Sequence, residues 1–236
     1  MMLRLRRKLG FVAKSVRSAQ LIRGENREKR VAFCKAMISE HETFDDVVFV
    51  DESTVQLENN SKTCYLRKDE EHRRIKSRAK HPVKVHVWAG ISSHGATPIV
   101  IFDGRVRMDS KLYCKSIRDY YIPFAYTAYG GRCRLAQDND PKHISRFTLE
   151  HMDHWKIKRI EWPPESPDLN PIEFVWHQLK HFLRHSHKPK NKDELVVGIK
   201  KFWRNKMTKD QCKAYVGHIA HVIPKIIRAH GGNILE

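Results

Sequence analysis

Hydrophobic positions recur in this chain with two periods, and the switches between them mark its elements. Val31, Cys34, Met37 and Ile38 fall at helical spacing, which predicts a helix over 25–42. The run Val47-Val48-Phe49-Val50 ends in the charged pair Asp51-Glu52 and reads as a short buried strand. Ser53 to Leu57 alternates and can pair with it. Val83 to Trp88 alternates strictly, a strand with one apolar face. A turn at Ser92-Ser93-His94-Gly95 leads to another strand, Thr97 to Phe102. Residues 109–126 suit a helix broken near Pro123. Cys133 to Gln137 reads as a short strand, 144–155 as a helix and Ile157 to Trp162 as a further strand. After the proline-rich loop 163–171 come helices from Pro171 to about Arg184, from Asp193 to Asn205 and from Lys209 to Ala229. The expected fold class is therefore α/β, a mixed sheet flanked by helices with a helical C-terminal part.

Composition sharpens this picture. The 236 residues carry 45 Lys and Arg against 27 Asp and Glu, a net charge of +18, which points to a polyanionic partner. The stretch 58–82 is polar and strongly basic, an arm or long loop that includes Arg67, Lys68, Arg73, Arg74, Lys76, Arg78 and Lys80. No apolar run reaches the roughly 20 residues of a membrane helix. The five cysteines, Cys34, Cys64, Cys114, Cys133 and Cys212, show no CxxC pair and read as free thiols. The first 24 residues hold seven Lys or Arg and no acid, a composition that also fits a mitochondrial presequence.

Three acids mark segment edges. Asp51 follows the Val47–Val50 run, Asp138 follows Cys133 to Gln137, and Glu173 opens the helix after Pro167-Asp168-Leu169-Asn170-Pro171. Carboxylates at such positions can converge, and hard oxygen ligands brought together suit Mg²⁺ or Mn²⁺. Each acid also has a plain structural reading. Asp51 can simply end a strand, and Glu52 beside it points to the opposite face. Asp138 and Asp140 can cap a turn, and spacing alone does not choose between them. Asn170 and Glu173 form a capping-box pattern around Pro171. His177, His181 and His185 fall at i, i+4 and i+8, where a solvated or DNA-facing stripe is simpler than a zinc site.

Four stretches together are not anonymous. Val50-Asp51-Glu52-Ser53, Val85-His86-Val87-Trp88-Ala89-Gly90-Ile91, Gln137-Asp138-Asn139-Asp140-Pro141-Lys142-His143 and Ser166-Pro167-Asp168-Leu169-Asn170-Pro171-Ile172-Glu173 occur in this order, with 34 residues between Asp138 and Glu173. The pattern strongly resembles the catalytic domain of Tc/mariner transposases, nearest the nematode Tc group, over about residues 25–230. The resemblance implies a ribonuclease-H-like fold and a catalytic, metal-binding triad of Asp51, Asp138 and Glu173, and it is what selects Asp138 over Asp140. It implies two Mg²⁺ or Mn²⁺ ions, phosphodiester cleavage and strand transfer, with transposon-end and target double-stranded DNA as partners in the nucleus. Arg73, Arg74, Lys76, Arg78 and Lys142 are the candidate phosphate contacts. In this family a loop in the position of 58–80 reaches a partner subunit, which implies a homodimer.

Under the same resemblance residues 1–24 are a basic linker, the end of a helix-turn-helix recognition region, and 25–236 the catalytic domain. The family's recognition domain is expected to be nearly all missing, as in a truncated element. Two other classes fit the same residues: a non-transposing metal nuclease of this fold, and an inactive or host-recruited DNA-binding remnant.

Overall fold

Strand β1 (Val47–Gln56) organises the molecule. The structure, a computed structural model, describes residues 19–57 and 82–234, together with Gly10 and Arg67. The ladder between β1 and β2 (Lys84–Ser92) is antiparallel and runs unbroken from Phe49↔Ile91 to Gln56↔Lys84. Two short strands were expected here, with Asp51 at an end. Instead Asp51 and Glu52 lie in mid-strand. The cause is β2, which pairs its backbone with every residue from 49 to 56, so the polar side chains do not interrupt the ladder.

On its other edge β2 pairs with β3 (Gly95–Ala96) and β4 (Val100–Asp103). Residues 97–99, expected in a strand, lie outside β4. Beyond β1 the sheet turns parallel, with β5 (Arg134–Ala136) and then β6 (Lys158–Arg159), much shorter than the strand expected over 157–162. The strand order is β3-β2-β1-β5-β6, with β4 beside β2.

A parallel neighbour requires a crossover, and the helices supply it. The chain from β4 to β5 passes through α2 (Ser110–Ser116) and α3 (Ile122–Tyr129). A π turn at Ile117–Tyr121 joins them, so the helix is not broken at Pro123 as expected. Pro123 sits in the first turn of α3, where a missing N–H costs little. With α4 (Arg146–His154) these helices cover one face of the sheet, over Val48, Val50, Trp88 and Leu135. The opposite face presents Val47, Phe49, Val55, Val85 and Val87. It is covered by α1 (Gly24–Ser39), α5 (Ile172–Phe182), α6 (Lys192–Lys206), α7 (Lys209–Gly217) and α8 (Ile219–Arg228). The period-2 alternation of β1 thus feeds two separate cores. Cys34, Cys114, Cys133 and Cys212 are buried free thiols, and Cys64 lies outside the described residues.

A buried ion pair ties three remote segments together. Arg30, on α1, is fully buried. Its guanidinium donates to both carboxylate oxygens of Asp168, at 2.8 and 2.6 Å, and to the carbonyls of Glu165 and Gly231. Asp168 and Glu165 belong to the loop that leads into α5, and Gly231 follows α8. Removing one partner of such a pair strands the other's charge. Arg30→Ala should therefore lower the unfolding free energy by about 3–5 kcal/mol in urea melts. A loss below about 1 kcal/mol would mean the clamp is dispensable.

A second, partly exposed cluster fixes β5. Arg134 donates to Glu42 and to Asp46, which precedes β1. Burial pushes the Glu42 carboxyl up, but the Arg134 hydrogen bonds and charge, with the Phe44 N–H, outweigh it and hold it below its ordinary 4.5. A depressed folded value means the pair stabilises the fold above 4.5 and loses that contribution as pH falls through the folded value. Urea melts of Glu42→Gln should show the full deficit at neutral pH and a shrinking one on the acid side of 4.5. A deficit that does not change with pH would show that Glu42 acts through packing alone.

Candidate active site

The parallel pairing sets the geometry. Val47↔Arg134, Val48↔Leu135 and Phe49↔Ala136 are the paired residues of β1 and β5. Two residues beyond the Phe49↔Ala136 pair come Asp51, still within β1, and Asp138, just past the end of β5. Adjacent strands lie about 4.8 Å apart. Helix α5 packs on β1. Trp176, in its second turn, donates its indole N–H to Asp51 Oδ2 at 2.8 Å. Glu173 lies three residues before Trp176, on the same side of the helix. Pro171 is the N-cap of α5 and makes no side-chain cap, so the expected capping box does not form.

The charges register this convergence. Burial pushes the Asp51 carboxyl well above the usual carboxylate range, and the charges of Glu173 and Glu52 push it further. The Trp176 hydrogen bond opposes them. Glu173 keeps part of its surface open to solvent, yet desolvation of its carboxyl raises its pKa, and the Asp138 charge adds to the rise against Lys180. Asp138 goes the other way. Burial would raise it, but the hydrogen bond and charge of His143, the Asp140 N–H and the Lys142 charge together lower it.

His143 and Glu52 were not among the expected site residues. His143 is 1% exposed and bridges Asp138 Oδ1 at 2.6 Å to Glu52 Oε1 at 3.2 Å. Burial would lower its pKa, but the two carboxylates raise it to about 9. At neutral pH it is therefore an imidazolium with both ring nitrogens donating. Its ring lies 4.1 Å from that of Tyr113, whose hydroxyl donates to Gln137 Oε1 at 2.6 Å. Glu52 does face away from Asp51, as strand alternation requires. It reaches the site from the other side of the sheet, through His143. A buried histidine five residues after Asp138 is the one signal in the sequence that pointed to this bridge.

Other expected residues fall as follows. Asp140 accepts from the Lys142 backbone and pairs with Lys142 Nζ at 2.9 Å, so it is engaged in the turn. Lys142 also faces Glu52, at 3.5 Å, and much of its charge is compensated. Arg73, Arg74, Lys76 and Arg78 lie outside the described residues. His177, His181 and His185 form an exposed stripe, with the last two rings 4.4 Å apart.

Among the described residues no three His, Cys, Asp or Glu groups close on one point tightly enough to form a ready-made metal cage. The donors nevertheless fit a hard divalent cation in kind. Burial and the charges of Glu173 and Glu52 destabilise the Asp51 anion, and desolvation and the charge of Asp138 destabilise that of Glu173, which a cation would relieve. Asp138 keeps Oδ2 outside its hydrogen bonds to His143 and Asp140.

Residues 46–196 match the family model of the DDE superfamily endonucleases. The chain belongs to that family. It is 30% identical to the Tcb2 transposase of Caenorhabditis briggsae over 68% of this chain and 60% of the relative. It is 26% identical to the Tc3 transposase of Caenorhabditis elegans, over 95% of this chain and 68% of that one. The chain thus spans about 60% of the Tcb2 protein it resembles. In fold it superimposes on the mariner Mos1 transposase in its paired-end complex with Mg, with a TM-score of 0.86, 14% identity, and coverage of 99% of this chain and 71% of the other. The fold is accordingly the ribonuclease-H-like one, a mixed sheet flanked by helices. As a DDE endonuclease chain it places the acid-bearing elements β1, β5 and α5 side by side.

The Trp176 indole is the donor the structure places on Asp51 Oδ2, and a donor stabilises the carboxylate form. Trp176→Phe keeps the ring and removes the N–H. The Asp51 pKa should then rise further in a carboxyl-carbon NMR titration of the metal-free protein. An unchanged or lower value would mean the hydrogen bond does not hold Asp51 in solution.

Proposed function

We propose that this chain is the catalytic part of a Tc/mariner-type transposase, a metal-dependent DNA endonuclease and strand-transfer enzyme. The observation that carries the proposal is the meeting of Asp51, the segment after β5 that bears Asp138, and the first turn of α5 that bears Glu173, in a DDE endonuclease chain. Its substrates are double-stranded transposon ends and target DNA. That substrate class puts its work in the nucleus. Support comes from the Mos1 neighbours, solved with a left transposon end and with Mg or Mn. Residues 1–24 then belong to the end of a recognition region, and the working assembly is a homodimer.

Asp51, Asp138 and Glu173 would hold the metal, two Mg²⁺ or Mn²⁺ ions. Bound there, Mg²⁺ or Mn²⁺ would acidify a water or DNA 3′-hydroxyl and stabilise charge on the leaving oxygen. The chain's own groups do the positioning. Trp176 fixes one oxygen of Asp51 from the α5 side. His143 fixes one oxygen of Asp138 from the other side and is itself held by Glu52. The Arg30 clamp holds the loop that delivers Glu173.

Asp138 and Asp140 separate cleanly in a test, because the charge of Asp138 acts on Glu173 while Asp140 pairs with Lys142. Asp138→Ala should abolish Mg²⁺-dependent nicking of supercoiled plasmid and remove the rise in melting temperature that Mg²⁺ gives the parent. Asp140→Ala should keep a measurable fraction of both. Full activity in Asp138→Ala with loss in Asp140→Ala would overturn the assignment, and a parent indifferent to Mg²⁺ in both assays would overturn the function.

A further inference from the structure

Beside Glu52, on the α2–α4 face of the sheet, lies an open groove of about 400 Å³. Lys84, Arg105, Arg107 and Lys142 line it, four cationic side chains against the single carboxylate of Glu52. Lys142 and Glu52 form its inner end, where His143 leads to Asp138. Lys84 and Arg107 are exposed, and among the described residues neither has a carboxylate partner. Arg105 shares Asp103 with Lys192, so two cations face one acid there as well.

The groove is a built feature. Its wall is the turn after β4, laid against the start of β2. Gly104 makes this possible: a Cβ at that position would stand 2.1 Å from the Lys84 carbonyl oxygen. His86 pins the wall from inside, with Nδ1 at 2.9 Å from the Thr54 hydroxyl and Nε2 at 3.2 Å from the Gly104 carbonyl. Val106 and Met108 supply apolar surface among the cations. Cations spaced along an apolar-floored channel suit a sugar–phosphate backbone.

We propose that this groove is the track along which a DNA strand reaches the carboxylates, its phosphates held by Lys84 and Arg107 in a manner blind to base sequence. The inference rests on the DNA-processing function proposed above and adds the path and the two anchoring side chains. It differs from general attraction by a basic protein because it is local. Charges further than a Debye length from the strand contribute little at physiological salt.

The test compares two variants with equal loss of charge. Lys84→Gln/Arg107→Gln removes two cations from the groove. Lys200→Gln/Lys201→Gln removes two exposed cations from α6, on the opposite face of the sheet. Binding of a random-sequence fluorescent DNA duplex is followed by anisotropy in EDTA across a salt series, with thermal melts to show that all proteins are folded. The groove variant should bind roughly tenfold more weakly at moderate salt and flatten the slope of log affinity against log salt by about 2. The α6 variant should keep the parent slope. Equal effects of the two variants, no effect of the groove variant, or no binding by the parent would each overturn the groove. Because EDTA removes the metal, this result stands apart from nicking: a chain that binds through the groove but does not nick counts against the function above and leaves the groove intact.

Discussion

The parallel pairing of β1 with β5 is the constraint on which this structure depends. It alone brings Asp138 beside Asp51, and a slip of one residue would turn every side chain of β5 to the wrong face. Three paired residues are few to fix a register. The structure secures them from outside the ladder. Arg134, the first residue of β5, grips Glu42 and Asp46, which flank the entry to β1. The Arg134 N–H also donates to the Asp46 carbonyl at 2.8 Å, extending the pairing backward by one step. Leu135 and Ala136 then bury into opposite cores. The strand is short because the chain must leave the sheet at once to carry Asp138 into its loop.

Around that pairing, the two layers share the task of holding repelling carboxylates. From one side α5 contributes both Glu173 and the Trp176 indole. From the other side the loop after β5 contributes Asp138 and the His143 imidazolium, with Glu52 reaching around the sheet to anchor it. The result is unequal by design of the donors. Asp51, buried and with only neutral donors, has its pKa raised, whereas Asp138, with a cationic donor and a backbone N–H, has its pKa lowered. One face of the site thus stays anionic without a metal while the other is poised to lose its charge. Such a split is what a group of like charges adopts when full ionisation is too costly.

Much of this was legible in the chain's pattern, and the misses share a cause. Local periodicity located the long helices, although α1 buries Asn26, Arg30 and Cys34 in place of an apolar stripe. It shortened β1, because the polar run Asp51-Glu52-Ser53 looks like an end when seen alone, and only the β2 ladder shows it to be interior. It lengthened β6, because Ile157 to Trp162 is apolar enough for a strand but has only β5 to pair with. Pro123 was read as a break, although a helix can absorb a proline by widening the turn before it. In the candidate site, the three acids were expected from a motif, and strand alternation correctly sent Glu52 to the far face. What alternation could not show is that the far face still reaches the site. A histidine on a loop closes the gap, and loops carry no period from which its direction can be read.

The same reasoning explains how so basic a chain can gather acids at one place. Positive charge touches the three acids at one oxygen, Asp138 Oδ1, which the His143 imidazolium binds, and Asp138 Oδ2 stays outside that pair. Two cations beside the Asp138 side of the site are balanced: Lys142 by Asp140 and Glu52, and His143 by Asp138 and Glu52. Lys84 and Arg107, further out along the groove, have no such partner among the described residues. Compensation near the carboxylates and its absence one step away produce a field that draws a polyanion toward the site and leaves the centre itself to a cation. This gradient follows from which lysines and arginines have acids within reach, a property of the folded chain that its net charge of +18 does not reveal.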